Sequence, residues 1–223
     1  FLIGISHSAV FSLIAVYATS MNFSILEVSI VTFLFAISGA ISQWPIGKLS
    51  DVLDRRIVII YTTFGAALFC FLAIISSGQM YMPAGLATSK IFFYICIMCF
   101  SFCSLPMFAL IFAHTNDFIP KEKFVAAGAG LQFVFGLGAI CGPFMCSLFM
   151  EFLGENGFFI FLIIFHSFIG LFGIYRMQIR ESGDNPDSQF APMPQTITPA
   201  GIELNPSTEP IDEPNNLNEF KKI

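Results

Sequence analysis

The 223-residue chain is 56% hydrophobic, carries 29 phenylalanines and only 11% charged residues, and has a formal net charge of −5. A soluble domain has about 25% charged residues, so a water-soluble globule is excluded and a membrane protein indicated. The acidic balance, with no basic stripe, argues against a nucleic-acid partner.

A hydrocarbon core of about 30 Å is crossed by about 20 apolar residues in helix, the only open-chain form that satisfies its own backbone in lipid. The chain opens on Phe1 with no basic n-region or cleavage site, and reads as a fragment without a signal peptide. Six segments meet the spanning length: approximately Leu2–Ser20, Ser29–Ile46, Ile57–Ser76, Ile91–Ala113, Phe124–Leu148 and Gly157–Tyr175. None contains Asp, Glu, Lys or Arg. The expected fold class is an all-α polytopic membrane protein with six transmembrane helices.

Span one carries His7, Ser8 and Ser12, the two serines one turn apart on a shared face. After it, Asn22-Phe23-Ser24 matches a glycosylation sequon, read as a chance match in a short turn. Span two runs through Pro45, where a bend is expected, into "QWPIGKLSDVLDRRIVII" (Gln43–Ile60). Five charges stand between Lys48 and Arg56, flanked by apolar runs. The helix is expected to end at Gly47, whose missing side chain permits close approach, with Leu49 packing back towards the bundle. Asp51 suits backbone donors or the positive end of a neighbouring helix. Arg55 and Arg56 suit the headgroup level, paired with Asp51, Asp54 or anionic lipid.

Span four carries Tyr94 and Ser101, two turns apart, and bends at Pro106. His114 closes that span, with Asn116 and Asp117 as local caps or partners. All six cysteines (Cys70, Cys96, Cys99, Cys103, Cys141 and Cys146) lie in apolar runs without groups that favour thiolate, so they read as packing residues. No metal site, disulfide framework or cofactor is implied. Span five holds Gln132 and a GxxxG formed by Gly138 and Gly142, followed by Pro143, which suits close helix packing. His166 in span six reads as a satisfied packing histidine.

The connections set orientation. Lys48, Arg55, Arg56, Lys121, Lys123, Arg176, Arg180, Lys221 and Lys222 fall on one side of the zigzag, and only Lys90 on the other, beside Glu27, Glu151 and Glu155. The positive-inside rule then puts both termini in the cytoplasm. Residues 1–177 form the six-helix domain. Residues 178–223, acidic and rich in proline, are expected to be a disordered cytoplasmic tail, inert rather than a docking element.

The order Gly47-Lys48-Leu49-Ser50-Asp51-Val52-Leu53-Asp54-Arg55-Arg56 resembles the cytoplasmic loop signature of the major facilitator superfamily, G-x-L-x-D-R-x-G-R-R/K. Gly47, Leu49, Asp51, Arg55 and Arg56 match; Val52 replaces a basic residue and Asp54 a glycine. The degenerate form, six spans and a tail look like helices seven to twelve, the C-terminal half of an MFS-type bundle. More narrowly, "SGAISQWPIGKLSDVLDRR" and "GLGAICGPFMCSLFM" are similar to YcaD-like transporters over about residues 1–177.

The resemblance implies a secondary carrier of a small molecule in a bacterial inner membrane, in contact with membrane lipid. Two six-helix bundles would rock about a central site, so the missing N-terminal half is an expected partner. It makes Gly47, Leu49, Asp51, Arg55 and Arg56 a conformational gate, and places the other half's loop near Lys123–Ala127. It also makes spans one and four cavity-lining, so that His7, Ser8, Ser12, Tyr94 and Ser101, with Gln132, become candidate cargo contacts; helix-to-helix bonding is the other use of such groups. A membrane-embedded enzyme is the first rival, although no His-x-x-x-His or Gly-x-Ser-x-Gly pattern occurs. A non-transporting receptor or scaffold is the second.

Overall fold

A computed structural model of the chain describes residues 1–79, 86–120, 123–179, 190 and 192. It contains α1 (Leu2–Ser20), α2 (Ile25–Val52), α3 (Arg55–Gln79), α4 (Leu86–Ser104), α5 (Met107–Asn116), α6 (Phe124–Leu153) and α7 (Asn156–Ile179). There is no strand among the described residues. Helices α4 and α5 continue one another as a single crossing, so six helical units are long and apolar enough to span a membrane. The all-α, six-span expectation is met.

Local chemistry explains where the boundaries differ. Helix α2 begins at Ile25 rather than Ser29 because Ser24 and Glu27 form a capping box. The Ser24 hydroxyl accepts from the Glu27 amide at 3.4 Å, and the Glu27 carboxylate accepts from the Ser24 amide at 2.8 Å. At its other end α2 does not stop at Gly47, which lies buried inside it; it continues to Val52. What ends it is the start of the next helix. Asp54 accepts from the Arg56 amide at 2.9 Å, as an N-terminal cap of α3 does. Leu49 faces outward at 49% exposure, against the expectation that it packs back.

Proline acts differently at three places. Pro106 has no amide hydrogen to donate, and the crossing breaks there into α4 and α5. Pro45 and Pro143 sit inside α2 and α6, which continue past them.

Helix α1 lies along α6, with α2 and α7 at its sides; α3 lies between α4 and α7, and α2 packs on α4. The α1–α6 contact is backbone on backbone. A Cβ at Gly142 would stand 2.2 Å from the Ile5 carbonyl oxygen, and one at Gly138 would stand 2.3 Å from that of Phe1. Only glycine permits that approach. Towards the far end from Arg55, Tyr17 is stacked between Phe158 (5.2 Å) and Phe93 (6.0 Å) and meets Phe159 edge-on at 4.8 Å. At that end Lys90 bonds Glu27 at 2.6 Å. Large apolar side chains such as Phe33, Trp44, Phe71, Ile140, Phe144 and Phe168 face outward, an exterior suited to lipid and not to water.

The tail expected over residues 178–223 falls outside the described residues, apart from Gln178 and Ile179, which close α7 as helix, and Phe190 and Pro192; the expectations for Lys121, Arg180, Lys221 and Lys222 also fall outside them. Phe190 is half-buried and packs against the bundle.

Candidate functional site

The charged turn closes one end of the bundle. Arg55, the first residue of α3, is 7% exposed. Its guanidinium donates to Asp117, just past α5, at 2.8 Å and to Asp51, one turn back on α2, at 3.0 Å. One fork thus ties α2, α3 and the end of the broken crossing together. Charge-assisted bonds to a mostly desolvated guanidinium are among the stronger polar contacts. Arg56 bonds Asp54 at 2.6 Å. This Arg56 bond, ahead of the opposing effect of burial, holds the Asp54 carboxyl below its ordinary 3.8. His114 Nδ1 lies 3.6 Å from Asp117, and Lys48 sits 4.2 Å over the Trp44 ring. Asp117 was legible only as a local cap or partner; its bond to Arg55 spans 62 positions.

A second polar cluster lies at the break in the fourth crossing. His7 Nε2 is 3.1 Å from both the hydroxyl and the carbonyl oxygen of Ser104, the last residue of α4. The Ser104 hydroxyl is also 2.9 Å from His166 Nε2. His166 Nδ1 faces the Leu162 carbonyl at 2.9 Å and the Ser6 hydroxyl at 3.3 Å. A carbonyl can only accept, so the neutral His166 ring carries its proton on Nδ1 and accepts at Nε2. Ser104 must then donate to His166 and accept from His7. The result is a one-directional chain, His7 to Ser104 to His166, joining α1, α4 and α7. All four residues are 1% exposed or less. Adding a proton to His166 Nε2 would make the Ser104 hydroxyl accept from both rings and turn its own hydrogen elsewhere. Among the described residues no three His, Cys, Asp or Glu side chains stand together as metal ligands.

The remaining candidates do not meet in one cavity. Ser8, half-buried, donates to the Ile5 carbonyl at 3.2 Å. Ser12 is exposed on α1 and Gln132 is half-buried on α6. Ser101 is buried and donates to the Phe35 carbonyl, bonding α4 to α2. Tyr94 lies against Phe23 and Phe93 at the far end from Arg55. Gly138 and Gly142 face α1, and Pro143 beside them is half-buried. Ser104 and Ser6 were missed by sequence reasoning; the one available signal was that a histidine inside a span needs polar partners on other helices. A separate cavity of about 260 Å³ is lined by apolar side chains alone, including Phe108, Leu131, Phe135 and Phe172.

A family model described as Major Facilitator Superfamily matches residues 1–211. The chain belongs to the Major Facilitator Superfamily. Members of this superfamily are membrane transporters that carry small molecules, and six apolar spans make this chain an integral membrane protein. Among superfamily relatives, it is 24% identical over 188 residues to the uncharacterised MFS-type transporter YE1530 of Yersinia enterocolitica, covering 84% of this chain and 44% of that protein. It is 27% identical over 154 residues to the MFS-type transporter YfkF of Bacillus subtilis, covering 67% of this chain and 35% of that one. An Enterobacter MFS-type transporter is 24% identical over 183 residues, covering 82% and 43%. The chain therefore spans less than half the length of these superfamily relatives, all of them bacterial. Their names support superfamily membership but not the narrower YcaD-like likeness. No solved structure matches the chain.

Proposed function

We propose that this chain is the C-terminal six-helix half, helices seven to twelve, of a secondary carrier in a bacterial inner membrane, moving a small molecule by alternating access. Residues 1–177 are the membrane domain, with both ends of the chain in the cytoplasm and a missing N-terminal half completing the central site. The observation that carries this reading is the buried Arg55, whose fork joins the signature residue Asp51 to Asp117 at the end of the broken crossing. A clamp built of charge at one end of a bundle, on helices that can separate, suits a gate that must open and close. In this reading Gly47, Leu49, Asp51, Arg55 and Arg56 form the cytoplasmic gate of this half. His7, Ser8 and Ser12 on α1 and Tyr94 and Ser101 on α4, with Gln132 on α6, flank the path of the cargo. The positive residues gathered on the Arg55 side support the orientation.

The test is Asp51→Ala made on a Phe190→Ala parent, because Asp51 also accepts from the Phe190 amide, in the full-length carrier reconstituted in vesicles. The variant should shift thiol labelling of cavity positions towards the inward-open pattern, and lower uptake in a screen of candidate solutes. Labelling identical to the parent's would refute the gate assignment.

A further inference from the structure

Phe190 stands eleven positions beyond the end of α7 and yet lies against α2 and α5. Eleven residues of extended chain reach at most about 40 Å, long enough to cross the end of a six-helix bundle. Its amide donates to Asp51 Oδ1 at 2.9 Å, the same oxygen that accepts from Arg55. Its ring packs on the cluster of Ile46 and Leu110 and on the Ala109–Phe112 wall beside Val125. A Cβ on Gly47 would come 2.2 Å from the ring carbon Cδ1. The seat therefore exists because position 47 has no side chain. Two residues of the loop signature, Gly47 and Asp51, together hold one residue of the chain's own C-terminal segment.

We propose that Phe190 is a tethered plug for the signature end of the bundle, seated on Gly47 and Asp51. The seat rests on geometry alone; its gating consequence rests on the carrier reading above. In a carrier this face closes against the other half, so the plug and the other half compete for it. A docked Phe190 then holds the pathway open at this end, and closure requires the ring to leave. The sequence around Phe190 is rich in proline and acidic residues, and Phe190 is its one aromatic residue between positions 181 and 219.

The test uses the full-length protein cleared of other tryptophans, Trp44→Phe included. An indole is introduced by F190W, or by P192W two positions on, where the side chain is exposed. Acrylamide should quench the F190W indole severalfold less than the P192W indole, a comparison that needs no change in the Phe190 seat. Adding Gly47→Leu to F190W should lower the docked-to-free ratio about tenfold, the change that a half-buried aromatic ring sustains. Equal quenching of the two indoles overturns the plug. A shielded indole that ignores Gly47→Leu also overturns it, because the ring is then buried elsewhere. For the gating consequence, F190A should shift thiol labelling of cavity positions towards the outward-open pattern; docking with unchanged labelling refutes that consequence. A protein showing no alternating labelling in any variant refutes the carrier reading and leaves the seat intact.

Discussion

Arg55 offers the sharpest test of how the charged end is held. Arg55→Met keeps the unbranched apolar stem of the side chain and removes both bonds, leaving Asp117, whose side chain is 11% exposed, without its strongest partner. Breaking a buried pair costs about 3–5 kcal/mol. Here His114, 3.6 Å from Asp117, remains to offset part of that cost. The Asp51 arm is 36% exposed, so it behaves as a surface pair contributing about 1 kcal/mol or less. The expected loss for R55M is therefore about 2–3 kcal/mol, or about 5–10 °C in the unfolding midpoint for a chain of this size. Cys70 and Cys146 are fully buried and Cys96 nearly so, so a thiol-reactive dye that reports their exposure on heating reads the transition in detergent. D117N should cost more than D51N, and R55M combined with D117N should cost little beyond R55M alone, because the two share one interaction. An R55M midpoint within about 2 °C of the parent's, or D51N costing as much as D117N, would show that the buried arm does not hold this end together.

Ser104→Ala removes the centre of the histidine chain and takes the hydroxyl donor from the buried His166 Nε2, at about 1–3 kcal/mol, while His7 keeps the Ser104 carbonyl; Ser104→Thr, which keeps the hydroxyl, should recover most of it in the same thermal assay. Gly142→Ala forces a methyl group into the Ile5 carbonyl and should part α1 from α6 at about 1–3 kcal/mol. Gly136→Ala, with nothing within 4 Å of the added carbon, should instead be neutral or stabilise the helix by up to about 1 kcal/mol. The Arg56–Asp54 bond gives a pH dependence whose sign follows from the depressed Asp54 carboxyl. Its contribution is present above the ordinary 3.8 and is lost as pH falls through the lower folded value. An acid titration of D54N should accordingly lack a destabilising step that the parent shows below about pH 4.

The six crossings were legible because each needs only a run of apolar residues, and that demand is local. Helix α1 has the bounds its composition suggests, Leu2–Ser20. The α2–α3 turn was misplaced because Gly47 looked like a stop, whereas Asp54, seen as a partner for the arginines and a departure from the loop signature, is also the cap that sets the boundary. Contacts between distant positions were out of reach. His7 and Ser104 are 97 positions apart, and nothing in either neighbourhood names the other. Phe190 is a harder case, since composition is averaged over a segment and a single anchoring ring leaves that average unchanged.

The break at Pro106 makes the fourth crossing two rods and a joint. The longer rod is moored to α2 through Ser38 on the Met98 carbonyl and Ser101 on the Phe35 carbonyl. The ten residues of α5 make a lever about 15 Å long, with the joint at one end and Asp117 just past the other. Tilting that lever by about 10° would sweep its tip about 2.6 Å, nearly the length of the bond that Asp117 makes with Arg55. A small pivot at one proline is thus enough to release the clamp while the rest of the crossing stands still.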